Sequence, residues 1–160
     1  MRYGIAIIAL ILGPAVAAAL QEESKAKREH VILTAADVKW GEAPPILPPG
    51  AKASLLDGDP KKEGVFILRL QLPSGWTLPP HFHPVDERVT VISGTFQLGL
   101  GDTFDETKMR DLPAGSFFSL PPKTHHFAKT RGETVIQINT VGPWALTYLN
   151  QDDDPRNKKK

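Results

Sequence analysis

From 65 to 72 the chain alternates without a break: Phe66, Leu68, Leu70 and Leu72 fall on one face, Arg69 and Gln71 on the other. A period of two marks a half-buried strand, because successive side chains leave a strand on opposite faces. Short apolar runs at 51–56, 116–120, 124–129, 134–141 and 145–149 predict further strands. Residues 88–92 and 95–100 flank Ser93-Gly94 and predict a hairpin. The stretch 31–40 has the same β texture, whereas 104–110 fits a helical turn or a loop equally well. Between the runs lie breakers. Residues 43–50 hold Pro44, Pro45, Pro48 and Pro49, which predicts a connecting loop, and Asp57-Gly58-Asp59-Pro60 has the composition of a turn. Eight or more short strands, glycine- and proline-rich turns and no amphipathic helix predict an all-β chain, an antiparallel sandwich or barrel. No internal repeat points to a solenoid or propeller.

The N-terminus departs from this texture. Arg2 precedes an apolar run at 5–12, then Gly13-Pro14, then Ala15-Val16-Ala17-Ala18-Ala19. A charged start, an apolar core and small residues at alternate positions predict a secretory signal peptide over 1–19, cleaved after Ala19 or Ala17. The expected location is then periplasmic or secreted, with no membrane attachment after cleavage. The remaining chain divides into an N-terminal strand or linker region at 20–44, a barrel domain at 45–150 and a disordered polar tail at 151–160. At 19 basic against 18 acidic residues, the formal net charge is +1, which argues against nucleic acid or an anionic membrane as partner. There is no cysteine, so disulfides, thiolate metal sites and cysteine nucleophiles are excluded. Any metal must be held by nitrogen and oxygen.

Four of the five histidines sit in two short segments, His81 and His83 in one and His125-His126 in the other. His81 and His83 are two apart, so on a strand both imidazoles leave the same face. Glu87, four residues past His83 and beyond the bend expected at Pro84, can bring an oxygen to the same point. Imidazoles and one carboxylate suit manganese, iron, nickel, copper or zinc. His125 and His126 are adjacent, so only one of them can face inward on a strand. His30 lies apart, and no role is expected of it.

Gly75, five residues, His81, one, His83, three, Glu87, six, Gly94 resembles the first signature motif of the cupin superfamily without a gap. Gly115, Pro121 and His126 resemble its second motif in register, with twenty residues between Gly94 and Gly115. Two positions depart: Lys123 stands where glycine is usual and Thr130 where asparagine is usual. The resemblance spans 75–130 and implies a jelly-roll β-barrel of the RmlC-like kind. It further implies one divalent metal held by His81, His83, Glu87 and His126, with two coordination positions open. Register then places His125 at the surface or rim, and Lys123 puts the conformation of its turn in question.

Around such a site, Trp76 and Phe82 read as core packing or as walls. Arg69, Gln71, Gln137 and Asn139 read as outward-facing, with Gln137 and Asn139 the candidates to turn inward. The segment 142–148 resembles one in small secreted bacterial cupins, and Trp144 and Tyr148 read as packing or lid residues. Two functions follow from the resemblance. One is a metalloenzyme on a small molecule, dioxygenase-like or a lyase or isomerase, in which Glu87 serves as general base. The other is a metal-dependent module that binds or senses a small molecule without turning it over. Pairing into a homodimer through a sheet edge is the expected assembly.

Overall fold

The computed structural model describes residues 30–158, and the predicted signal segment lies outside them. The compact unit begins at Leu33. Its strands are β1 (Gly41–Glu42), β2 (Lys52–Asp57), β3 (Gly64–Leu72), β4 (Thr77–Phe82), β5 (Glu87–Leu100), β6 (Arg110–Pro113), β7 (Phe117–Leu120), β8 (His126–Gly142) and β9 (Thr147–Tyr148). Every pairing among them is antiparallel.

Two long strands organise the rest. The second half of β8 lies between β3 and the first half of β5, with Leu68 opposite Ile138 and Ile138 opposite Val89. Its first half lies between β4 and the second half of β5, with Ala128 opposite Leu78 and Leu98. Thus β5 and β8 run through both walls, β7 and β6 extend β5, and β1-β2-β3 and β9-β4 extend β8. This curled antiparallel sheet is a jelly roll. Its interior is filled by alternate residues: Phe66, Leu68, Leu70 and Leu72 of β3 are buried, as the alternation predicts, with Val89, Val91, Ile136 and Ile138.

Ser93-Gly94 does not make the predicted hairpin. Both arms belong to β5, and both pair with β8. Gly94 has φ 75°, and a Cβ there would stand 2.3 Å from the Glu133 carbonyl oxygen. Glycine therefore lets the strand turn a corner against its neighbour instead of reversing. The predicted strands 124–129 and 134–141 likewise merge into β8, which starts at His126 and passes through Gly132 at φ 76°.

Other expectations shift as well. Residues 31–40 contain no strand, only a 3-10 turn at Ala35–Asp37, and the sheet begins at Gly41 within the expected linker. Residues 104–110 hold a 3-10 turn at Glu106–Lys108 before β6, a strand that too few apolar residues announced. The tail expected to be disordered instead forms 3-10 turns at Gln151–Asp153 and Pro155–Asn157. Its anchor is Asp154, 4% exposed, whose carboxylate accepts from Arg156 Nε at 2.9 Å and Nη2 at 2.6 Å. Arg69, Gln71, Gln137 and Asn139 all lie on the outer side of their alternating strands. Arg69 Nε donates to Gln137 Oε1 at 2.8 Å and Gln137 Nε2 to Asn139 Oδ1 at 3.0 Å, so neither Gln137 nor Asn139 turns inward.

Candidate metal centre

His81 is the last but one residue of β4, His83 follows that strand, Glu87 opens β5 and His126 opens β8. His81 and His126 are cross-strand partners, and their ring centroids are 4.0 Å apart. Before His81, Pro79 and Pro80 occupy an irregularity in the β4–β8 register, where two residues without N–H groups cost the ladder little. All four side chains are buried: His81 is 1%, His83 and His126 3%, and Glu87 7% exposed.

The three imidazoles each offer one nitrogen within 4.8 Å of the others. Their remaining nitrogens are engaged. His81 Nδ1 donates to the Pro79 carbonyl at 2.8 Å, His83 Nδ1 to Ala145 at 2.7 Å and His126 Nδ1 to Thr124 at 2.9 Å. A carbonyl only accepts, so each Nδ1 carries the proton and each Nε2 presents a lone pair. Glu87 closes the group: Oε2 is 3.1 Å from His126 Nε2, and Oε1 is 3.6 Å from His83 Nε2. His83 Nε2 and Glu87 Oε2 are buried with no hydrogen-bond partner among the described residues. The His126–Glu87 contact is therefore close without being a hydrogen bond in this tautomer.

Three imidazole nitrogens thus gather within 4.8 Å of one another, Glu87 stands beside those of His83 and His126, and no donor among the described residues faces them. Two donors at right angles, each about 2.1 Å from a metal, stand about 3 Å apart, close to the spacings here. The site fits a divalent cation held by nitrogen and oxygen. Electrostatics point the same way. Burial, then the neighbouring His126 and His83, holds His81 well below its ordinary 6.5. Burial also lowers His83, against the pull of Glu87. Two imidazoles are therefore held in their neutral, metal-binding form.

His125 stands outside this group. Its side chain is 38% exposed, Nδ1 lies 2.7 Å from Asp102 Oδ1, and the ring faces Phe82. Phe82 is on that outer side, whereas Trp76 lines the inner cavity and donates Nε1 to the Pro48 carbonyl at 3.2 Å. Asp86 is turned outward to Arg88 at 2.6 Å. Lys123, in the glycine slot of the second motif, adopts φ 63°, so the turn keeps its left-handed shape. Its N–H donates to the His83 carbonyl at 2.8 Å. Thr130, in the asparagine slot, donates to the Pro73 carbonyl at 2.6 Å and accepts from Trp76 N–H at 3.0 Å, tying β8 to the start of β4.

The 143–146 connector carries what sequence reasoning left undecided. Trp144 stacks on His83, with centroids 4.6 Å apart and planes 17° from parallel, and Ala145 supplies the carbonyl that fixes the His83 tautomer. Only the resemblance of 142–148 hinted at this. Tyr148 packs, donating its hydroxyl to the Ile46 carbonyl at 2.7 Å. The cavity beside the ligands is about 20 Å³ and otherwise apolar, walled by residues such as Leu70, Phe96, Ile136 and Leu146.

Residues 11–147 match the family described as Domain of unknown function (DUF4437). Germin-like protein 5-1 of Oryza sativa subsp. japonica is 35% identical over 76 residues, 47% of this chain and 34% of that protein. The chain thus spans about a third of the length of the curated relatives it matches. Among solved structures, the polyketide cyclase RemF from Streptomyces resistomycificus superposes with a TM-score of 0.63 at 19% identity, over 81% of this chain and 89% of that one. An RmlC-like cupin from Shewanella frigidimarina gives 0.55 at 15% identity, over 78% and 96%. A salicylate 1,2-dioxygenase variant from Pseudoaminobacter salicylatoxidans gives 0.54 at 13% identity, over 68% and 31%. With both motifs lining a jelly-roll interior and a family match across most of its length, the chain belongs to the DUF4437 family of the cupin superfamily.

Proposed function

We propose that the protein holds one divalent first-row transition metal through His81, His83, His126 and Glu87, and uses it to transform a small organic molecule. The observation that carries this reading is the donor set, three buried imidazole nitrogens within 4.8 Å of one another with the Glu87 carboxylate beside two of them and no proton between them. A bound metal supplies Lewis acidity and a place where oxygen or substrate attaches. The chain's own residues do the rest. Carbonyls of Pro79, Ala145 and Thr124 hold the three rings in one tautomer and orientation. Leu70, Ile136 and Leu146 keep bulk water away, which strengthens every charge interaction at the site. Glu87 would serve as general base once its carboxylate is free of the metal: Oε2 has no competing hydrogen bond among the described residues, and Glu87 lines the same cavity.

Oxygen-dependent cleavage is the first reaction class and a lyase or isomerase step the second. The fold likeness to a dioxygenase and to a polyketide cyclase supports asking both questions. The second reading is a module that captures a small ligand through the same metal without turnover. The test is to identify the bound metal by elemental analysis, then follow oxygen uptake and substrate loss with diketones, flavonols and phenolics. Metal-dependent turnover of any of these supports the enzyme. Full occupancy with no turnover across the panel leaves the binding module. A purified protein that takes up no divalent metal refutes both.

A further inference from the structure

Two cavities meet at Trp144. The inner one, about 20 Å³, has room beside the ligands for little more than a water-sized molecule. The outer cleft is about 610 Å³, within the range of small-molecule sites, and is walled by Pro44, Ile46, Leu55 and Leu68 among others. Trp144 and Leu146 line both cavities, and no other described residue does. Anything larger than water that reaches the four ligands from this cleft must pass them.

Trp144 is built to be moved. It sits in the 143–146 connector, outside any strand, and is only partly buried. Its ring covers His83 on one side and meets Phe66 edge-on at 6.2 Å on another. Yet its Nε1–H is buried without an acceptor among the described residues, so the closed position leaves that donor unsatisfied by them. A ligand bringing a carbonyl or hydroxyl oxygen supplies the missing partner as the indole swings. The connector is held at Trp144 N–H, which donates to the Pro60 carbonyl at 2.8 Å, and at Ala145, whose carbonyl accepts from His83. The side chain can therefore rotate while the backbone keeps the His83 tautomer.

We propose, resting on the metal reading above, that the outer cleft is the entrance chamber of the metal cavity and Trp144 the door between them. The chamber takes the body of a small, mainly apolar organic molecule bearing an oxygen acceptor.

The experiment has two arms on the purified protein. Titration with the uncharged dye N-phenyl-1-naphthylamine should reveal one saturable site per chain, which Leu55→Trp weakens by about tenfold or more. Leu55 is half exposed, so the larger ring fills the cleft without disturbing the core. Equal binding by wild type and variant, or none, overturns the chamber. In the second arm the protein is loaded with cobalt, and dipicolinate removes it. Trp144→Ala should speed removal by about tenfold with cobalt per chain unchanged, Trp144→Phe should stay close to wild type, and Leu55→Trp should slow it. If neither Trp144→Ala nor Leu55→Trp moves the rate, Trp144 is not the door; should the alanine variant fail to fold, Leu55→Trp alone decides. A wild type that takes up no cobalt overturns the metal reading and the door with it, while the dye still judges the chamber.

Discussion

Nε2 of His126 lies 3.1 Å from Oε2 of Glu87, and with His126 Nδ1 donating to Thr124 neither atom has a proton to offer the other. Two buried acceptors at that distance repel unless a cation stands between them. The metal-free protein thus carries a local cost that metal binding removes, and this links stability to occupancy.

Replacing Glu87 by Gln tests that link. The amide can donate to the facing imidazole, so the metal-free variant should be more stable than metal-free wild type by about 1 kcal/mol. It should also lose metal affinity. Losing a partner behind a ligand already costs about 10–100-fold, so losing the ligand's charge should cost at least as much. Thermal melts with chelator and with added zinc read both effects. Equal stabilisation of variant and wild type by zinc would contradict the ligand role of Glu87.

The adjacent histidines should separate cleanly. His126→Ala removes a buried imidazole of the proposed donor set and should abolish most of the metal content, whereas His125→Ala deletes a half-exposed ring and should leave it intact. Elemental analysis of the purified variants decides. Metal lost from His125→Ala but retained by His126→Ala would reverse the assignment.

Acid should destabilise the metal-free protein from about pH 6.5 downward. His81 and His83 have folded values below 6.5, so as pH falls through 6.5 the unfolded chain takes up protons that the folded chain refuses. Protons also compete with metal at the same atoms, so occupancy should fall in the same direction. A melting temperature that stays flat between pH 8 and 5 with chelator present would contradict the burial of neutral imidazoles.

Lys123 holds φ 63°, a left-handed conformation that costs a residue with a Cβ about 1 kcal/mol relative to glycine. Lys123→Gly should therefore raise the melting temperature by about 2–8 °C, with the Lys123 N–H bond to the His83 carbonyl retained. An unchanged or lower melting temperature would mean that the lysine side chain contributes more than its backbone costs.

How much was legible in the sequence varied with the range of the interaction. The faces of β3 followed from local alternation, because a strand with one buried side must repeat every two residues. The ligand-bearing segments were legible because histidine is scarce and the motif spacings are short and fixed. The corner at Ser93-Gly94 was misread as a hairpin because both use the same small residues. What separates them is whether one distant strand pairs with both arms, as β8 does. The ordered tail was missed for a related reason: Asp154 is buried only once the fold brings a surface to it.

From its residues alone the chain determined that it is all-β and that His81 and His83 share one face, while the resemblance of its motif spacings implied that Glu87 and His126 join them. Spacing along a strand is written in the sequence, and so is motif register. Only the tertiary structure decided which nitrogen each imidazole presents, because the His83 proton is directed by the Ala145 carbonyl, 62 residues away. It alone also set Trp144 over His83, between a small inner cavity and a large outer cleft. Hydrogen bonds and stacking act over a few ångströms of space, whatever the distance along the chain.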